Sequence, residues 1–222
     1  MFKMKSEKFY RALIEERDKI FGNSYSHGTH HPQRVLDNCL LIVNSNYEDI
    51  LGADLDIIRA SAILHDIARS KEDLGKVECH AEEGAKLARE VLGEFIFPKY
   101  KIDGVCYAIK VHRFSKGLKA ETIEAKILQD ADRLDALGAI AVARIFDDGG
   151  KKKRPMYNPD LKIKEYNHNS ESESSINHFY EKTLKIKPET FRTKKAQEIA
   201  KNKYKFVKDF VNRFIKEWNG EF

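Results

Sequence analysis

Ile63-Leu64-His65-Asp66-Ile67-Ala68 sets an imidazole beside a carboxylate among aliphatic side chains. A carboxylate in such company must meet a cation or hydrogen-bond donors, because an uncompensated buried charge is costly. Alone, the dipeptide reads as a helix-terminal hydrogen bond as readily as a metal site. Three other places raise the second reading. His31 stands before Pro32 at a helix entry, with His27 and His30 crowding it; Asp130, Asp132 and Asp135 interrupt an apolar run; and His80 and His112 stand near the ends of two further helical stretches. His31, His65, Asp66 and one Asp of the 130–135 cluster make a borderline ligand set, two imidazoles and two carboxylates, that suits Mn, Fe, Co, Ni or Zn better than Ca.

Helices must position these groups. Ser6 caps a first helix that turns Phe9, Ala12, Leu13 and Ile20 inward and stops at Gly22. Residues 22–30 have turn composition, and Pro32 opens a second helix reaching about Asn46. Asp54 caps a third, apolar around most of its circumference as a central helix should be, and closed by His65 and Asp66. Neighbouring residues on a helix point about 100° apart, so both can serve one ion only near a helix end, where they stand. Arg69 to Cys79 reads as a polar loop, and His80 opens the fourth helix, stopped by Gly93.

In the fifth helix Ile102, Val105, Ile109 and His112 recur at steps of three, four and three, which puts His112 on the inward face. One long helix is expected over about Glu121 to Phe146. Asp147 to Ser174, with Gly149-Gly150 and Lys151-Lys152-Lys153-Arg154, reads as a loop or lid. Helices follow over 175–186 and from Thr193, the last with Ala196, Ile199, Ala200, Tyr204, Val207, Phe210, Val211, Phe214, Ile215 and Trp218 in register.

The expected fold is therefore all-α, one domain over 1–222 with a core at about 20–146, a lid-like loop at 147–174 and C-terminal helices at 175–218. Length permits a real core without disulfides, and Cys39, Cys79 and Cys106 form no C-x-x-C pair, so they read as core thiols of a reducing cytosol. The N-terminus has no apolar signal core, and no run reaches the ~20 apolar residues of a membrane span. A cytoplasmic protein without membrane partners is expected. Net charge is +5, but 35 acidic residues are interspersed among 40 basic ones, so nucleic-acid binding is not compelled.

His31-Pro-Gln-Arg34-Val35, His65-Asp66 and Asp130-Ala-Asp132-Arg133-Leu134-Asp135, in that order in a helical chain, resemble the HD-domain superfamily of metal-dependent phosphohydrolases. The segment 174–182 and the last helix resemble the tail of small, stand-alone bacterial HD hydrolases. The resemblance implies metal ligands at His31, His65, Asp66 and Asp132, the last preferred to Asp130 because Ala131-Asp132-Arg133-Leu134 matches the family's Ala-Asp-x-Leu context. It implies a divalent cation, Mn first, with Fe, Co, Ni, Zn or Mg as alternatives, and a phosphorylated small molecule, a nucleotide in several members, as substrate.

A cation-activated water would attack phosphorus. Asp132 or Asp130 would orient that water, and Arg34, Arg69, Arg133 and Lys116 are candidates to grip anionic oxygens. His80 and His112 would protonate the leaving oxygen, hold phosphates or bind a second ion. Lys151–Arg154, with His178 and Lys182, would close over the substrate. Arg69 departs from those HD nucleotidases with a catalytic Glu four residues after the HD histidine, so their mechanism does not transfer.

Two rival readings stay open: an HD-type di-iron oxygenase using about six ligands including His80 and His112, and a nucleic-acid-binding module motivated by ten Lys or Arg against two Glu over 182–208. A homodimer also stays open.

Overall fold

A computed structural model describes residues 5–21, 30–165 and 170–221. Of the turn expected over 22–30, residues 22–29, with the stop at Gly22 and His27, lie outside the described residues, and His30 is already helical. The described residues carry helices and no strand, which bears out the all-α expectation. No helix among them is long and apolar enough to cross a membrane. The chain divides into two compact units, Met1–Asp132 and Arg133–Phe222.

In the first unit, α1 (Glu7–Phe21), α2 (His30–Val43) and α6 (Lys99–Val111) pack on α3 (Leu55–Leu64), and α5 (His80–Glu94) packs on α6. The sequence of α3 explains its central place. Ile58, Ala60, Ala62, Ile63 and Leu64 are all buried, and Asp54 caps the helix by accepting from the amides of Asp56 and Ile57 at 2.9 and 3.2 Å. α7 (Ile123–Asp135) is tied to its neighbours by polar side chains: Asn38 donates to Ala131 O at 3.1 Å and Gln129 to Val111 O at 3.1 Å. The stretch read as a polar loop holds a short helix, α4 (Arg69–Asp73).

The long helix expected over 121–146 is instead two, α7 and α8 (Ala139–Lys151). Gly138 separates them with φ 85° and ψ −166°, a backbone state that is essentially glycine's alone. An apolar periodicity runs through such a break because the break changes direction, not composition. A second correction concerns Gly149-Gly150, which are helical and not part of a loop. Tertiary packing overrides their low propensity: a Cβ on Gly149 would stand 2.5 Å from Ser175 Oγ, so only glycine lets these segments approach. The non-helical stretch accordingly starts after Lys151.

The second unit is built by α8, α9 (Ser175–Glu181) and α10 (Lys194–Trp218). Val142, Ile145, Ile176, Phe179, Val207 and Val211 form its buried cluster, with Phe146, Phe210 and Phe214 packed against it. Trp218 keeps the helical register yet is half exposed, since α10 outruns the core. Lys203 Nζ donates to Leu134 O at 2.9 Å, occupying a carbonyl at the end of α7.

Candidate metal centre

Each site histidine of the first unit stands at a helix terminus, and the termini explain its orientation. His65 and His112 follow the last residues of α3 and α6, where carbonyls lack helical partners. Nδ1 of His65 lies 2.9 Å from Ala62 O, and Nδ1 of His112 lies 2.6 Å from Ile109 O. A carbonyl can only accept, so each Nδ1 carries the proton and each neutral ring turns an unprotonated Nε2 towards the centre. His80 opens α5 and is held from the other side. Glu72 Oε2 accepts from its backbone N–H at 2.5 Å and its Nδ1 at 2.6 Å, and Arg113 Nη1 holds both Glu72 oxygens at 3.1 Å. His31 is the second residue of α2.

Asp66, in the turn after α3, joins these groups. Its Oδ2 lies 3.6 Å from His31 Nε2 and 3.8 Å from His65 Nε2, and its Oδ1 lies 3.1 Å from His80 Nε2 and 3.8 Å from His112 Nε2. The imidazoles face each other in pairs, His31 with His65 at 3.3 Å between Nε2 atoms, and His80 with His112 at 3.4 Å. Asp132 Oδ1 stands 3.3 Å from His31 Nε2. Two clusters with metal-ligating spacing result, His31, His65 and Asp132 on one side and Asp66, His80 and His112 on the other. Five of the six side chains are 4% exposed or less, while Asp132 is 27% exposed, so the centre opens on the Asp132 side.

The charges are those of a cation site. Burial alone would raise the Asp66 carboxyl, but His65, His80 and His31 hold it well below the usual range. Asp132 is likewise lowered, burial being outweighed by the hydrogen bond and charge of His31 and by His65 and His112. Burial keeps His65 neutral despite Asp66, and pushes His112 down to about 4. Nearly closed off, the site thus holds two anions and imidazole lone pairs pointing at one another and at carboxylate oxygens. That arrangement requires positive charge between them, and a divalent cation fits the donor set.

The other sequence candidates are not members of either cluster. Asp130 is fully buried on α7 and belongs to neither cluster. Arg69 Nε pairs with Asp73 at 3.2 Å on α4, Arg34 is half-buried on α2, and Lys116 is exposed. In the second unit Arg133 donates to Thr190 O at 2.9 Å and stacks over Phe191 at 4.2 Å. Lys182 follows α9 and donates to Ser170 O at 2.6 Å; His178 lies one turn before it. Sequence reasoning missed Glu72 and Arg113. Neither carries a local signal, because a carboxylate eight residues before His80 joins it only through the fold.

The HD-domain family signature matches residues 29–137, the span that contains all six side chains. A solved HD-superfamily hydrolase of Bacillus thuringiensis is 31% identical, with 97% of this chain and 99% of that one covered at a TM-score of 0.76. The chain belongs to the HD superfamily. A second HD relative, a predicted HD-superfamily hydrolase from an uncultured Thermotogales bacterium, is also 31% identical, with 94% and 92% covered and a TM-score of 0.65. YpgQ of Bacillus subtilis is 29% identical over 205 residues, 89% of this chain and 87% of YpgQ. Its structure in complex with ADP superposes at a TM-score of 0.70, covering 95% of each chain at 25% identity. The HD fold, the His/Asp cluster and the hydrolase relatives together indicate a hydrolase with a divalent-metal site.

Proposed function

We propose that this chain is a metal-dependent phosphohydrolase that cleaves a phosphoester or phosphoanhydride bond of a nucleotide. The observation that carries the reading is Asp66, with one oxygen facing the His31–His65 pair and the other the His80–His112 pair. A carboxylate shared in this way supports two cation positions: His31, His65, Asp66 and Asp132 around one, and Asp66, His80 and His112 around the other. A bound divalent cation supplies a water acidified from ~15.7 towards ~7 and a Lewis acid for a phosphoryl oxygen.

The chain's own groups do the rest. Asp132 is held too low to be an effective proton acceptor, so its role is that of an anionic ligand whose partly exposed carboxylate orients water at the open side. Glu72 fixes the tautomer and direction of His80, as carboxylates beside metal-ligating histidines commonly do. Arg34 and Lys116 remain candidates to meet the substrate's oxygens. ADP bound to YpgQ supports a nucleotide as the substrate class, and Mn is the first choice of metal.

The test is metal analysis of the purified protein, then a screen for phosphate and pyrophosphate release from nucleotides with Mn, Mg, Co and Ni. Release by the parent and none by Asp66→Ala is expected; a screen blank with every metal would sink the proposal. One further reading has an observation behind it, since the six-ligand set also suits an HD-type di-iron oxygenase. Iron at two per chain with substrate-dependent oxygen consumption would select that reading instead.

A further inference from the structure

Only two buried side-chain polar atoms among the described residues lack a hydrogen-bond partner, Arg154 Nε and Ser172 Oγ. Both belong to the second unit. Arg154 is the inward member of the basic run. Lys151 pairs with Asp147 at 2.7 Å and Lys152 with Glu171 at 3.0 Å on the surface, whereas the Arg154 side chain is 8% exposed. Its Nη2 donates to Ile145 O at 3.0 Å and meets Asp148 at 3.4 Å, which leaves Nε unserved. A Cβ at Gly149 would come within 3.4 Å of that Nε, so glycine keeps one side of the guanidinium open.

Two cations, Arg154 and Lys182, stand here beside a neutral imidazole, His178. Burial first, and then Arg154 and Lys182, push His178 down to about 4, outweighing Asp148 and Glu181. Lys182 in turn acts against Arg154 and Lys152. The backbone between Ser170 and Ser174 runs along this group: Ser170 O accepts from Lys182, Glu171 takes Lys152, and Ser174 caps α9 by accepting from Asn177 N at 3.0 Å. Ser172 lies within that segment, 4% exposed. Like charges and unserved donors collected in a largely buried place require an acceptor that carries negative charge.

We infer that Arg154, His178 and Lys182, with the hydroxyl of Ser172, form a binding site in the second unit for a tetrahedral oxyanion of the phosphate class. A guanidinium supplies a fork, Lys182 a mobile point charge and Ser172 a neutral donor, a set that matches phosphate oxygens in number and kind. The site is built from the second unit alone and does not depend on the cation centre.

The experiment is calorimetric titration of the full chain, dialysed against a chelator, with inorganic phosphate and with pyrophosphate, each against a chloride control. Saturable binding is expected, weakened about tenfold or more in Lys182→Met and in His178→Leu, as loss of one hydrogen bond to a charged partner implies. Arg154→Lys keeps the charge and removes the fork, and should weaken binding too. Asp66→Asn should bind like the parent. Affinity equal to the parent's in Lys182→Met and His178→Leu, or absence of saturable binding, would overturn the site, as would loss of binding in Asp66→Asn, which would move the anion to the first unit. Should circular dichroism show that Arg154→Lys does not fold, the Lys182 and His178 variants decide alone. Because no metal is present, failure here leaves the phosphohydrolase reading intact, and a blank hydrolysis screen leaves this site intact.

Discussion

Asp66 is the residue on which the cation centre depends, because both carboxylate oxygens face imidazoles. Asp66→Ala should therefore abolish metal retention and hydrolysis together, read by metal content and phosphate release; full activity in the variant would refute the centre. Asp132→Asn should lower metal affinity more than Asp130→Asn, since Asp132 Oδ1 stands 3.3 Å from His31 Nε2 and Asp130 belongs to neither cluster. The opposite order would transfer the ligand role to Asp130. Glu72 acts one step further out. Glu72→Gln should weaken metal binding by about 10- to 100-fold while the helix content stays unchanged, because the ring of His80 loses the carboxylate that aims it. Unchanged affinity in a metal titration would reduce Glu72 to a helix cap.

At the scale of elements, helix termini convert sequence into geometry. α3 and α6 end in carbonyls that accept imidazole N–H groups, and α5 begins where Glu72 caps it, so three ends point side chains at one place. Gly138 does similar work between α7 and α8. Gly138→Ala should cost about 1–3 kcal/mol, both because φ 85° with ψ −166° suits only glycine and because the new Cβ would stand 3.2 Å from Lys203 Cγ. A chemical-denaturation midpoint identical to the parent's would show that the chain relaxes around the break at no cost.

At the scale of the whole molecule, pH dependence follows from a buried network at the other end of α3. Asp56 accepts from Lys101 Nζ at 2.6 Å, Tyr10 Oη at 2.6 Å and Lys5 N at 3.0 Å. Burial alone would raise its carboxyl, but these donors hold it below its ordinary value. Lys101 is raised, its desolvation outweighed by Asp56 and Asp54. A lowered carboxyl stabilises the fold fully above the unfolded value of ~3.9 and loses that contribution as pH falls through the lower folded value. A raised Lys contributes below ~10.4 and loses it as pH rises past its folded value. Asp56→Asn should thus cost about 3 kcal/mol at neutral pH, where it leaves Lys101 undercompensated, and progressively less below pH ~4. A deficit that stays constant from pH 7 to pH 2.5 would contradict the network.

The sequence by itself determined the helical class, the buried character of α3, the inward face carrying His112 and the family, because each rests on local periodicity or on residue types in a fixed order. The His-Asp dipeptide and the Ala-Asp-Arg-Leu context were legible for the same reason. Tertiary structure alone decided which atoms meet. The two-sided exposure of Asp66 to imidazole pairs, the grip of Glu72 and Arg113 on His80 and the inward turn of Arg154 depend on residues brought together from distant stretches, and no spacing encodes them. The same holds for the break at Gly138 and the helical state of Gly149-Gly150, where close packing overrides the propensity by which a sequence is read.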